Sequence, residues 1–190
     1  RAIQLFCSMA MNTSVRADMA EMQRVAALGI KHLACNWELR ALCGRSGAIE
    51  ACIFMVKNRD PEVARFAASA IAEMSLLEEN GLKFCQRGAL KPLIHLARSG
   101  DPRSEGAAIS AISNLTITPE QQSIMIQDGG TKAIEFLQSS ANPRAAHLAK
   151  NLLKRLRMAK LRAACKFAAR MKATGESLIA AGVEIGEGYE

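Results

Sequence analysis

The sequence predicts an all-α solenoid of stacked three-helix units. Three observations lead there: a composition suited to closely packed helices, two landmarks that recur at one constant interval, and apolar positions that agree in size between units. Of the 190 residues, 49% are hydrophobic but only 4% are aromatic. A core must therefore be built from Ala, Leu, Ile, Val and Met, which suit packed helices better than a β-sandwich. The length suits one domain with a substantial core.

The landmarks define the unit. Gly47-Ala48-Ile49, Gly88-Ala89-Leu90 and Gly129-Gly130-Thr131 begin alike and are evenly spaced along the chain. Asp60-Pro61, Asp101-Pro102 and Asn142-Pro143 keep the same interval, which is the repeat period. Asp or Asn at an N-cap accepts bonds from the unpaired amides of a first helical turn. Proline at N1 loses nothing, because that amide has no helical partner. The glycine supplies the left-handed backbone that ends the preceding helix. Each unit thus reads as a short helix, a glycine turn, a medium helix and a proline-started long helix.

Along the long helix, Ala67 corresponds to Ala108 and Ala149, Ile71 to Ile112 and Leu153, and Met74 to Leu115 and Leu156. Spacings of three and four put them on one buried face. Upstream, Ala2-Ile3 starts a medium helix and Ala26, Ala27 and Ile30 fit a long one. The connection from Met11 to Ala20 is longer than its counterparts. Paired Glu78-Glu79 open a short helix, where the dipole favours negative charge.

Gly88-Ala89-Leu90-Lys91-Pro92-Leu93-Ile94, running on to Ala111-Ile112-Ser113-Asn114-Leu115, closely resembles the armadillo repeat. The resemblance covers about residues 1–157, as one partial repeat followed by about three more. It implies a right-handed α-solenoid of armadillo-type repeats; HEAT-type helical pairs are the nearest alternative. Residues 158–175 read as a basic amphipathic C-terminal capping helix and 176–190 as an acidic, glycine-containing extended tail. Arg1 enters a helix at once, which fits a piece of a longer or processed chain.

The resemblance also implies where a partner docks. A solenoid exposes a groove lined by one helix of each repeat, in this family the long third helix. Importin-type members carry a Trp there and an Asn four residues later. The corresponding pairs here are Leu28 and His32, Ser69 and Glu73, Ser110 and Asn114, and Asn151 and Arg155. Only Asn114 keeps the family residue, so a transport adaptor of the importin class is disfavoured. A peptide or helix would instead meet Arg65, Phe66, Ser69, Glu73, Arg103, Ser110 and Asn114.

From Phe136 to Gly175 there is no Asp or Glu, and ten basic residues fall in that block. The formal charge of +7 arises entirely there. Leu152, Leu153, Leu156, Leu161, Ala164, Cys165, Ala168 and Met171 interleave with them at helical spacing, as one long helix or two with a bend. Lys150, Lys154, Arg155, Arg157, Lys160, Arg162, Lys166 and Arg170 form a candidate contact surface for an acidic protein, or for RNA phosphates. The same cations would also simply solvate the outer face of a terminal repeat. Phe167 alone is no stacking platform, so sequence-specific RNA readout is not expected.

No catalytic, cofactor-binding or metal-binding residue is expected. His32, His95 and His147 fall in different repeats, the glycines have turn roles, and no Cys-x-x-Cys pair occurs among the six cysteines. Free thiols at this density point to a reducing intracellular compartment, the cytoplasm first, with an organelle or the nucleus as alternatives. Asn12-Thr13-Ser14 and Asn114-Leu115-Thr116 match the glycosylation pattern, which the thiols argue against. No apolar run is long enough to span a bilayer; the basic amphipathic helix lying on an anionic membrane surface is the least favoured of its three readings. The chain therefore reads as a non-enzymatic scaffold for protein–protein interaction, a subunit of a larger assembly, with an RNA-associated or organellar ribonucleoprotein factor as the alternative.

Overall fold

A computed structural model describes residues 1–12 and 19–180, with side chains described as far as Lys172. The described residues form eleven helices and no strand. In chain order they are α1 (Ala2–Met11), α2 (Met19–Cys35), α3 (Trp37–Arg45), α4 (Ala48–Met55), α5 (Pro61–Met74) and α6 (Glu78–Gln86). Then follow α7 (Leu90–Ala97), α8 (Pro102–Asn114), α9 (Pro119–Gln127), α10 (Gly130–Leu137) and α11 (Pro143–Ala180).

The landmarks act as local chemistry requires. Asp60 Oδ1 accepts from the Glu62 amide at 2.9 Å, Asp101 Oδ2 from Ser104 at 2.9 Å, and Asn142 Oδ1 from Arg144 at 3.1 Å. Each is followed by proline in the first turn of α5, α8 or α11. Gly88 adopts φ +76° and closes α6 with paired bonds. The Ala89 amide reaches back to the Phe84 carbonyl and the Gly88 amide to that of Cys85, both at 3.0 Å. That is the Schellman arrangement, and glycine at its left-handed residue avoids a Cβ clash.

Stacking follows from the repeat. α5 packs between α2 and α8, and α8 packs between α5 and the first part of α11. The corresponding residues Ala67, Ala108 and Ala149, with Ile71, Ile112 and Leu153 and with Met74, Leu115 and Leu156, are all buried in one continuous core. Alanine at the closest approach lets helices come together, while the larger residues fill the layer between them. Among the short helices, Cys43, Phe84 and Met125 form a second buried row with the same period.

The last helix departs from the pattern. In the preceding repeats the chain turns after Met74 and Asn114, and α9 begins with a Thr118 cap and Pro119. The residues one period later are Ala159 and Lys160, which neither cap a helix nor break one, so α11 continues. Its first part closes the last repeat through buried Ala145, Ala149, Leu152, Leu153 and Leu156. From Lys160 to Lys172 every residue is exposed. The extended tail expected from Glu176 does not begin there, because α11 runs on to Ala180. A single glycine, Gly175, costs a helix only about 1 kcal/mol. The remainder of the expected tail, 181–190, and most of the long connection after Met11 lie outside the described residues, with Thr13 and Ser14 of the first glycosylation pattern.

Candidate functional site

The long helices α2, α5, α8 and the start of α11 present their free faces along one side of the stack. A groove of about 470 Å³ runs across them. Its wall includes five of the seven residues expected from the sequence: Arg65, Ser69, Glu73, Arg103 and Ser110. Lys31 and Arg144 join them. Sequence reasoning missed these two, although Arg144 stands one repeat period after Arg103 and the alignment could have shown it.

Phe66 and Asn114 are not in that wall. The half-buried Phe66 ring lies between two cations, with the Arg65 guanidinium 4.4 Å and the Lys31 ammonium 5.6 Å from its centroid. It orients the groove's cations by cation–π attraction. Asn114 turns its amide inward and donates to the Ala72 carbonyl of the preceding long helix at 2.9 Å. Its donor is thus engaged within the protein. Ser69 and Ser110 occupy the positions corresponding to the importin-type Trp. Their hydroxyls donate to the Arg65 and Gly106 carbonyls one turn back, at 3.0 and 2.8 Å.

Charge in the groove is one-sided. Glu73 is its carboxylate, and Arg40 holds it at 3.2 Å. Arg65 pairs with Glu62 at 3.4 Å. Arg103 and Arg144 are exposed, and neither has an ion-pair partner among the described residues. The net field facing a ligand is positive.

The expected basic surface divides. Lys150, Lys154, Arg157, Lys160, Arg162, Lys166 and Arg170 are exposed along α11. Arg155 is not among them. Its guanidinium donates from Nη2 to the Ser113 carbonyl at 2.8 Å, and to the Ser113 and Thr116 hydroxyls at 3.2 Å. Burial lowers its pKa from the ordinary value. The reason is positional: Arg155 stands one repeat period after Asn114 and makes the same reach to the preceding long helix. Arg155 therefore belongs to the fold's internal ties, not to an exposed contact surface.

Among the described residues, no group of three or more His, Cys, Asp or Glu is placed to hold a metal ion. Cys7, Cys43, Cys52 and Cys85 are buried, whereas Cys35 and Cys165 are exposed. Burial pushes the Cys7 thiol up to about 11 and the Cys85 thiol up to about 12, which keeps both protonated as core side chains. No described helix is long and apolar enough to cross a membrane.

Two solved structures of designed armadillo repeat proteins superimpose on this arrangement with a TM-score of 0.73, at 26% and 25% identity. The chain is an armadillo-type repeat solenoid. The superposition takes in 82% of this chain and 64% of each designed armadillo protein. The second of them is in complex with the peptide (KR)4. An engineered protein at 19% identity gives a TM-score of 0.75 over 83% of this chain and 63% of its own. The chain thus spans less than two thirds of the length of these structures. No protein-family model matches the sequence, and no curated protein matches it.

Proposed function

We propose that this armadillo solenoid is a non-catalytic scaffold whose groove takes an extended acidic segment of a partner protein, within a larger assembly. One observation carries the reading: Arg103 and Arg144, at corresponding positions of successive long helices, both line the groove with no partner carboxylate among the described residues. Peptide binding along the groove is supported by the designed armadillo protein solved with (KR)4. The charge here is opposite to what a basic peptide requires, and no Trp stands at the corresponding positions. Both facts also tell against the importin-class adaptor.

Fluorescence anisotropy tests this with two labelled peptides, an octaglutamate and (KR)4. The octaglutamate is expected to bind in low salt and the basic peptide to fail. Arg65→Glu, Arg103→Glu and Arg144→Glu together should weaken octaglutamate binding by about a hundredfold. Preference for (KR)4 by the unaltered protein sinks the reading.

A second reading, contact with RNA phosphates, is favoured by one observation: α11 leaves the solenoid at Lys160 as an exposed basic helix. Low-salt mobility shifts with RNA should weaken steeply as salt rises, and should disappear in the Lys160→Glu, Arg162→Glu, Lys166→Glu variant. That variant should leave octaglutamate binding in the groove intact. Arg155 is excluded from both sets, since changing it would loosen the fold.

A further inference from the structure

A second, larger cavity adjoins the groove, at the edge where the last two medium helices lead into the long ones. Its volume is about 920 Å³. The turn from α7 to α8 forms one lip and the turn from α10 to α11 the other. Asn142 ties the lips together, its Nδ2 donating to the Pro102 carbonyl at 3.0 Å. Leu137, Phe136 and Ala97 give the interior an apolar wall.

One residue does not fit an apolar cleft. Glu105, in the first turn of α8, lines this cavity and is only 8% exposed. Its carboxylate has no hydrogen bond and no ion pair among the described residues. The corresponding residues in the adjacent long helices are Ala64 and Ala146. Helix stacking therefore asks for a small apolar side chain here, and a carboxylate is not needed to hold the repeats together. The side chain is mostly buried but its oxygens are still reached from the cavity, where a carboxylate attracts a counter-charge. The cation in the same wall does not supply it. The Arg98 guanidinium stands over the Phe136 ring, 5.1 Å from its centroid.

We propose that this cavity binds an organic cation, an ammonium on an alkyl stem, with its charge on Glu105 and its stem against Leu137, Ala97 and Phe136. Apolar walls converging on one polar group are the usual build of a small-ligand site, and the volume falls within the usual range. A lysine side chain presented by a partner and a free alkylamine share this chemistry. The site shares Pro102 and Asn142 with the groove, but Glu105, Leu137 and Phe136 line the cavity and not the groove.

Butylammonium chloride, titrated into the ¹⁵N-labelled full chain at constant ionic strength, tests it. The amides of Glu105, Leu137 and Asn142 are expected to shift along a saturating curve. Butanol, with the same stem and no charge, should bind at least about tenfold more weakly, a difference of about 1.4 kcal/mol. Glu105→Gln should lose about the same factor. Glu105→Ala, which matches Ala64 and Ala146, should lose binding and raise the melting temperature, so that lost affinity is not lost folding. Saturation by the peptide Gly-Ser-Lys-Ser-Gly as well as butylammonium identifies a partner's lysine as the source; saturation by butylammonium alone identifies a free amine. A linear response to both, or an unchanged response in Glu105→Gln, overturns the proposal.

Discussion

Replacing Phe84 with alanine is expected to lower the unfolding free energy by about 3–5 kcal/mol, the cost of emptying a buried aromatic site. Phe84 is fully buried and is the central member of the row it forms with Cys43 and Met125. Its helix, α6, lies against α9 of the next repeat as well as against α4 and α5. The lost volume is thus shared between two repeats. For a chain of this length the melting temperature should fall by about 10 °C, read by circular dichroism. A solenoid couples mainly neighbouring units. Hydrogen exchange should therefore accelerate first in α6 and α9, with α2 less affected. A melting temperature matching that of the parent would contradict the packing described.

Asn80 offers the second large effect, and it depends on pH. The residue is 1% exposed, and its Nδ2 donates to the Arg40 carbonyl at 2.9 Å and the Met74 carbonyl at 3.3 Å. Gly44 makes room for it, since a Cβ there would meet the Asn80 side chain. Asn80→Ala removes both bonds and is expected to cost about 1–3 kcal/mol. Asn80→Asp keeps the shape but aims a carboxylate at two carbonyl oxygens, with an expected cost of about 3–5 kcal/mol at neutral pH. Burial and those oxygens raise the introduced group's folded-state pKa above its unfolded value of about 3.9. The charge-dependent part of the penalty is therefore absent below that unfolded value, where the protonated acid can donate to one of the two carbonyls, and it grows as pH rises toward the folded one. Urea unfolding at pH 4 and pH 7 checks it. Equal destabilisation of the two variants at pH 7 would rule out the assigned hydrogen bonds.

The fold was legible because its determinants are local and repeated. Asp60, Asp101 and Asn142 cap whichever helix follows them, and Gly88 closes α6 without help from distant residues. The passage of α11 through Lys160 was legible only in part. Its signal is a missing cap and a missing proline, and Lys166 follows Cys43, Phe84 and Met125 in their row where a buried residue would continue it. The groove emerged less completely. Alignment gives the face on which a residue lies, but not whether its polar end reaches outward or back to the preceding helix. Asn114 and Arg155 do the latter. Glu105 was overlooked for a different reason: a glutamate in a first turn looks like ordinary dipole chemistry. Its distinction from Ala64 and Ala146 becomes meaningful only once burial is known.

The bonds from Asn114 to Ala72 and from Arg155 to Ser113 also bear on which ligands can fit. Each joins one long helix to the backbone of its predecessor, so the interval between successive rows of groove side chains is fixed from within. A segment docked as proposed would meet graduations already cut, with little of its binding energy diverted to arranging them. Selectivity then extends to the distance between a ligand's anchoring groups. Inserting one residue between two such groups should impair docking even when their chemical identities are preserved.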